Sequence, residues 1–206
     1  MYRKSMISSC LAASLLLAAC GERPDQDETG AAGSASVGDT TAVSTDTTAS
    51  ATTAADLSDA NIVALLDHAN AADSSAGALA STKATNAKVK QFAKMMMVDH
   101  HQLRKQGADL AKKLGVTPEP PANDPVTALE KQETEALKAA PKGIDFDRTY
   151  IQQEIAAHQA VLDLADQAHG SADNAELKAL IEKARPLIEN HLKQAQDIEK
   201  ELGSTA

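Results

Sequence analysis

The sequence predicts an all-α protein. Apolar residues recur every three or four positions over several long segments, and few segments alternate apolar and polar residues as strands do. Aromatic residues make up 2% of the chain and tryptophan is absent, so Ala, Leu, Ile, Val and Met must build the core. Gly, Pro and Asn residues separate the periodic segments, as expected for loops between helices.

Two long helices are predicted at the start of the folded part. Ser58 is a suitable N-cap for a helix that runs to about Ala84. Asn86 is a suitable N-cap for the second helix, which should extend to Leu114. Gly115 should end this helix, because glycine readily adopts the left-handed conformation that follows a helix.

A proline-rich loop over 116–123 comes next, and Asp124-Pro125 then opens a short polar helix that runs to about Ala139. Proline is tolerated in the first turn of a helix, because the N–H that it lacks would have no partner there. Pro141 and Gly143 mark the following loop.

Two further long helices complete the prediction. The third should run from about Asp145 to Ala168 and end at Gly170. The last begins at Asp173 or Asn174 and should run to Leu202.

Four amphipathic helices of about 25 to 30 residues indicate a four-helix bundle, with the short extra helix in the long connection between the second and third long helices. That connection permits the crossover of a ferritin-like four-helix bundle instead of simple up-and-down topology. Pro186 lies in the middle of the last helix and should kink it. The folded domain is expected to cover 58–203.

The N-terminus is similar to the signal peptide of a bacterial lipoprotein. Arg3 and Lys4 give a positive start, and the apolar run over 6–19 is too short to span a bilayer comfortably. The run ends in Leu-Ala-Ala-Cys at 17–20, which resembles a lipobox. By this resemblance 1–19 is removed and Cys20 carries the lipid; an ordinary secretory signal is the alternative.

Residues 20–57 are expected to form the lipidated cysteine and a flexible linker. The segment is rich in Gly, Ala, Ser, Thr and Asp, so it buries too little apolar surface to offset its ordering entropy. The expected partner is therefore a membrane, reached through the lipid anchor, and the domain should face the periplasm in the cell envelope. Gly21, where an aspartate would retain the protein at the inner membrane, favours the outer membrane in a Gram-negative host.

Composition excludes several functions. The net charge is -9 and no basic stripe occurs, which argues against nucleic-acid binding. Both cysteines, Cys10 and Cys20, precede the folded part, which therefore has no disulfide, zinc knuckle or thiol nucleophile. No catalytic motif of a hydrolase or kinase is present. Catalysis is thus less expected than binding.

Polar residues interrupt the inner line of every long helix. In chain order these residues are Asp73, His100, His158 and His191. A buried polar group without a partner costs about 1–3 kcal/mol, so four such groups need a common explanation. A metal ion is one explanation, and a metal-free network of hydrogen bonds, such as histidines bonded to a carbonyl or carboxylate, is the other.

The positions of the candidate ligands along the bundle axis weaken the case for a single metal site that uses all four helices. Asp73 and His100 should lie at similar distances from the turn near Thr85, whereas His158 and His191 should lie about 20 and 30 Å from the turn near Ser171. Glu154 is one turn from His158 and nearer the level of His191. A site of Glu154, His158 and His191 is therefore as plausible as one that uses all four helices.

The remaining histidines, His68, His101 and His169, fall off the inner lines and should be solvated. Asp99, next to His100, could pair with an arginine or lysine across the bundle.

From about 58 to 202 the chain resembles the bacterial domain-of-unknown-function family 4142, of the ferritin-like superfamily. The matching segments are Val89–Ala93, Met97–His100, Phe146–Tyr150, His158 and Leu187–Leu192. The resemblance implies an exported helical bundle whose biochemical role is not established. The sequence departs from the di-iron pattern of that superfamily, since no Glu-x-x-His occurs. A ferroxidase site and iron storage are therefore not expected.

Together these observations favour a lipid-anchored, non-enzymatic bundle that acts as a binding or stress-related module. The alternative is a metal-binding or metal-dependent redox protein that holds a divalent transition metal inside the bundle. Its candidate ligands are Asp73, His100, Glu154, His158 and His191.

Overall fold

The computed structural model describes residues 57–204, which form five α-helices and no strand. The helices are α1 Asp59–Lys83, α2 Ala87–Leu114, α3 Pro125–Ala139, α4 Ile144–Ser171 and α5 Ala175–Ser204. The predicted all-α class and the short helix in the long connection are confirmed. The predicted signal peptide, the lipidated Cys20 and the linker up to residue 56 lie outside the described residues. Within 57–204, no helix is long and apolar enough to cross a membrane.

The predicted helix caps are present. The Ser58 side chain accepts a hydrogen bond from the Asn61 backbone at 3.1 Å, and the Asn61 side chain accepts one from the Ser58 backbone. Asn86 and Asp124 cap α2 and α3 in the same way through their side-chain oxygens. Gly115 ends α2 in the left-handed conformation, with φ 68°. Local polar chemistry thus sets these helix ends.

The predicted stop at Gly170 is wrong. α4 continues through it to Ser171, and the following Ala172 has an ordinary φ of -56°. Among the described glycines, only Gly115 and Gly143 have a positive φ. Glycine at 170 is therefore a helical residue and not a cap.

The last helix begins as predicted. The Asn174 side chain accepts hydrogen bonds from the backbone at the start of α5. The helix continues on both sides of Pro186, and its kink stays a prediction.

The long connection carries the chain back along α1. α3 begins near His68, which contacts Asp124 at 2.7 Å, and ends near Lys83, whose Nζ donates to the Leu137 carbonyl at 2.7 Å. α1 packs against α2, α3 and α4, and α5 packs against α4 and α2. α4 therefore runs antiparallel to α1, and the connection is a crossover of the kind that the sequence permits.

A buried carboxylate joins the two helical hairpins. Asp147, near the start of α4, is 1% exposed. It accepts hydrogen bonds from the Thr85 N–H, the Thr85 hydroxyl and the Asn86 N–H at 2.6 to 2.8 Å. These three bonds fix the second hairpin to the α1–α2 turn.

A polar layer separates two apolar parts of the core. The cluster nearer the α1–α2 turn includes Phe92 and Tyr150, whose rings meet edge to face. The cluster nearer the α4–α5 turn includes Ile62 and Leu177. On every long helix a polar residue lies between the positions that supply the two clusters. The residues of this polar layer are Asp73, His100, Glu154, His158 and His191.

Candidate metal centre

Three histidines from three helices meet in the polar layer. We call His100 on α2, His158 on α4 and His191 on α5 the histidine trio; they are 2%, 1% and 0% exposed. Their ring centroids lie 5.3 to 5.6 Å apart. One ring nitrogen from each histidine lies within 4.8 Å of the other two. The trio is thus a single buried group.

The expected mismatch in depth between His158 and His191 is therefore wrong. The estimate from sequence counted the residues of the α4–α5 turn as if they rose along a helix. Ala172 to Asn174 are not helical, so His158 and His191 lie only ~20 and ~24 Å from their own helix ends at this turn. The remaining difference is less than one helical turn.

Each trio histidine forms a hydrogen bond with a residue outside the trio through one of its two ring nitrogens. The three bonds are His100 Nδ1 to the Asn70 side-chain oxygen at 2.8 Å, His158 Nδ1 to the Glu154 carbonyl at 2.9 Å, and His191 Nε2 to Asp99 Oδ2 at 2.9 Å. All three partners are oxygens that accept hydrogen bonds, so the outer nitrogen of each ring carries the proton and donates it. The bonds therefore fix both the tautomer and the orientation of each ring.

The second nitrogen of each ring has no hydrogen-bond partner. These atoms are His100 Nε2, His158 Nε2 and His191 Nδ1, and all three are buried. With the proton on the outer nitrogen, each free nitrogen presents a lone pair. An unsatisfied buried acceptor costs about 1–3 kcal/mol. Three such acceptors in one group are what a bound cation would satisfy.

The buried surroundings keep the trio neutral. Burial and the nearby His158 and His191 charges hold the pKa of His100 well below its ordinary value. Burial also lowers the pKa of His158 to about 4, and it lowers the pKa of His191 against the opposing hydrogen bond to Asp99. Neutral imidazole is the form that binds metal ions.

The partner of Asp99 differs from the sequence prediction. Asp99 contacts His191 and not an arginine or lysine. Its neighbour His100 points into the core, so the Asp99 side chain leaves α2 towards α5. A sequence pattern does not show which neighbouring helix lies on that side.

Carboxylic acids flank the trio. Asp73 Oδ2 lies 3.5 Å from His100 Nδ1, and Glu154 Oε2 lies 3.4 Å from His158 Nδ1. Both acids are buried, at 4% and 0% exposure. The structure therefore brings all five sequence-predicted candidates into one layer.

Sequence reasoning missed a third buried acid, Glu133 on α3, which is 6% exposed. The sequence feature that could have revealed it is its spacing, because Glu133 lies on the same face of α3 as the buried Val126 and Leu137. Burial raises the pKa of Asp73 to about 7 and, with the charges of Asp73 and Glu130 nearby, the pKa of Glu133 to about 8. Burial, with Asp73 and Glu133 nearby, raises the pKa of Glu154 well above its ordinary value.

The other histidines lie away from this layer. His101 is exposed, as predicted, and His169 is partly exposed beside Glu182. His68 also lies off the inner line and is partly exposed, with 28% of its side chain accessible, and its ring bridges Asp124 and Glu130 on the α3 side.

Two solved structures share the fold. CopM in the Cu(II)-bound form has a TM-score of 0.58 and 18% identity, over 70% of this chain and 97% of CopM. A DUF305 fragment from Deinococcus radiodurans has a TM-score of 0.56 and 14% identity, over 70% of this chain and 96% of the fragment. Identities this low show the fold alone. None of the curated proteins compared with the chain matches it significantly.

One family model covers most of the chain. It matches residues 44–198 and thus spans all five helices at least in part. The helices, the polar layer and this match agree with the resemblance found in the sequence. The chain belongs to DUF4142, a family described as a domain of unknown function.

Proposed function

We propose that this protein binds one late divalent transition-metal ion through the histidine trio. The observation that carries the proposal is the set of three buried, neutral imidazoles whose free nitrogens have no hydrogen-bond partner. A Zn–N bond is about 2.0–2.1 Å long, so tetrahedral ligand nitrogens lie roughly 3.4 Å apart. In the trio one ring nitrogen of each histidine lies within 4.8 Å of the other two, which is close to that spacing.

The ligand chemistry selects the class of metal. Imidazole nitrogens suit copper, zinc, nickel and iron, and among divalent ions of this series copper generally binds most tightly. The outer ring nitrogens donate hydrogen bonds to Asn70, the Glu154 carbonyl and Asp99, and metal-binding histidines usually have such supporting contacts. CopM, which shares the fold, is a protein in a Cu(II)-bound form. These observations favour copper or zinc.

The proposed activity is binding and not iron oxidation. Glu154 and His158 are four residues apart, and the Glu-x-x-His pairs of di-iron bundles do not occur in the sequence. Three nitrogens from three helices leave a position open on the ion for water or for an acidic group beside it.

Metal titration of the full chain, produced without an affinity tag that contains histidine, tests this function. The wild type should bind one Cu²⁺ or Zn²⁺ per chain in isothermal titration calorimetry. At free metal 1,000 times Kd, its stability should rise by about 4 kcal/mol by mass action.

A matched pair of variants makes the test specific. His158→Ala should bind at least ~100-fold more weakly, because loss of a supporting contact alone costs 10–100-fold. His101→Ala removes an exposed histidine one residue from His100 and should bind like the wild type. Metal affinity that survives in His158→Ala would refute the proposal and leave the metal-free network of hydrogen bonds.

We also propose that the protein acts in the cell envelope, anchored to a membrane by a lipid on Cys20. The lipobox-like residues 17–20 and the linker composition support this location. Cys20→Ser should abolish labelling by a palmitate analogue and leave the precursor uncleaved. Normal processing and labelling of that variant would refute the anchor without affecting the metal proposal.

A further inference from the structure

Three buried acids lie together next to the histidine trio, and we call Asp73, Glu133 and Glu154 the carboxyl cluster. They come from α1, α3 and α4, three helices that pack against one another. Asp73 and Glu133 line a common cavity of about 100 Å³ between these helices. One ligand atom each from Asp73, Glu154 and His158 lie within 4.8 Å of one another.

Three of the six carboxyl oxygens of this cluster have no hydrogen-bond partner of normal geometry. They are Oε1 of Glu133 and both oxygens of Glu154, and the Tyr150 hydroxyl lies beside Glu154. No lysine or arginine is among the buried residues of the described part of the chain, so no side-chain cation balances these acids. A buried carboxyl group either stays neutral or, when ionised, is paired with a cation or coordinates a metal ion. Within residues 57–204, the protein itself supplies no cationic side chain to this cluster.

Glu154 of the cluster contacts the ring nitrogen of His158 that the trio does not use. Glu154 Oε2 is 3.4 Å from His158 Nδ1, the nitrogen that donates to the Glu154 carbonyl. His158 Nε2 is the atom left free for the trio. Glu154 therefore approaches His158 from the Nδ1 side, whereas the nitrogen left for the trio is Nε2.

We infer that Asp73, Glu133 and Glu154 form a second cation site, which takes a hard, oxygen-preferring divalent ion such as Mn²⁺. Carboxylate oxygens suit Mn²⁺ and Mg²⁺, whereas imidazole nitrogens suit copper and zinc. Such ions commonly keep bound water, and the cavity beside Asp73 and Glu133 has room for it. This inference goes beyond the proposed function, because the second site does not require an ion in the trio.

Direct binding of Mn²⁺ to the full chain tests the inference. Electron paramagnetic resonance of free Mn²⁺ should show one site per wild-type chain. Glu133→Gln and Asp73→Asn keep the side-chain size and remove one charge each, and each should weaken binding at least tenfold. Glu135→Gln changes an exposed acid on α3 and should bind Mn²⁺ like the wild type.

Variants of the trio separate the two proposals. His100→Ala should lose copper or zinc and retain Mn²⁺. Equal Mn²⁺ affinity in the wild type, Glu133→Gln and Asp73→Asn, or no Mn²⁺ binding by the wild type, would overturn the second site whatever the trio binds. Copper or zinc binding that His100→Ala retains would overturn only the proposed function. Circular dichroism checks that each variant is folded.

Discussion

The histidine trio and His68 show two ways in which the same side chain is used in one bundle. His68 contacts a carboxylate through each ring nitrogen, Asp124 at 2.7 Å and Glu130 at 2.9 Å. Burial alone would lower its pKa, but the hydrogen bonds to Glu130 and Asp124 outweigh it and raise the pKa. Each trio histidine instead has one bonded nitrogen and one free nitrogen, and its pKa is lowered.

The two arrangements differ in whether a ring nitrogen keeps a lone pair that could bind a metal ion. The two carboxylates favour the protonated form of His68, in which both nitrogens donate, no lone pair is left for a metal and the ring ties α1 to the α3 region. The trio is neutral, and each of its rings has one buried nitrogen without a hydrogen-bond partner. A buried histidine is thus a candidate ligand when one of its nitrogens is held and the other has no partner.

The largest effect is expected when the contact between Asp99 and His191 is removed. Asp99→Ala should weaken copper or zinc binding by the trio 10–100-fold, because His191 loses the acceptor that fixes its ring. Asp109→Ala, which removes an exposed acid of α2 that pairs with Lys105, should leave the affinity unchanged. Calorimetric titration measures both variants. Equal affinities would mean that the outer hydrogen bonds do not orient the trio.

The second test measures stability without metal. His100→Ala should destabilise the protein by more than ~1 kcal/mol, because it leaves a cavity and removes the partner of Asn70. The adjacent exposed His101→Ala should stay within ~0.5 kcal/mol. Urea denaturation in the presence of a chelator gives both values. If the two variants lost the same free energy of unfolding, the finding that His100 is buried and His101 is exposed would be contradicted.

The third and smallest effect concerns pH at His68. Because the folded state raises its pKa, the stabilisation is fully present below about pH 6.5 and is lost as the pH rises through the folded-state pKa. His68→Gln should therefore cost more at pH 6 than at pH 9. The difference should be less than ~1 kcal/mol, because the site is partly exposed. A larger cost at pH 9 would show that His68 is not held as a cation.

Helical periodicity was sufficient to predict the inner residues. Asp73, His100, His158 and His191 each fall on the apolar line of their helix, and all are buried. The N-caps of α1, α2 and α3 were equally predictable, because a cap depends on residues within one turn. These features are local, so the sequence contains them directly.

The remaining features depend on how the helices dock. Spacing within α3 places Glu133 on the inner face of that helix, but which helices α3 packs against, and hence the closeness of Glu133 to Asp73, depends on docking. The pairing of Asp99 with His191 depends on which helix lies beside α2. Which ring nitrogen stays free depends on contacts with Asn70 and the Glu154 carbonyl, which only three-dimensional packing creates.

The three helices that supply the trio belong to different hairpins, α2 to the first and α4 and α5 to the second. An ion shared by these helices would act as a cross-link at the middle of a domain that contains no cysteine. A cross-link stabilises mainly by reducing the conformational freedom of the unfolded chain, as a disulfide does. Unlike a disulfide, this link would be reversible without a redox reaction. The rigidity of the bundle would then follow the supply of metal in its compartment.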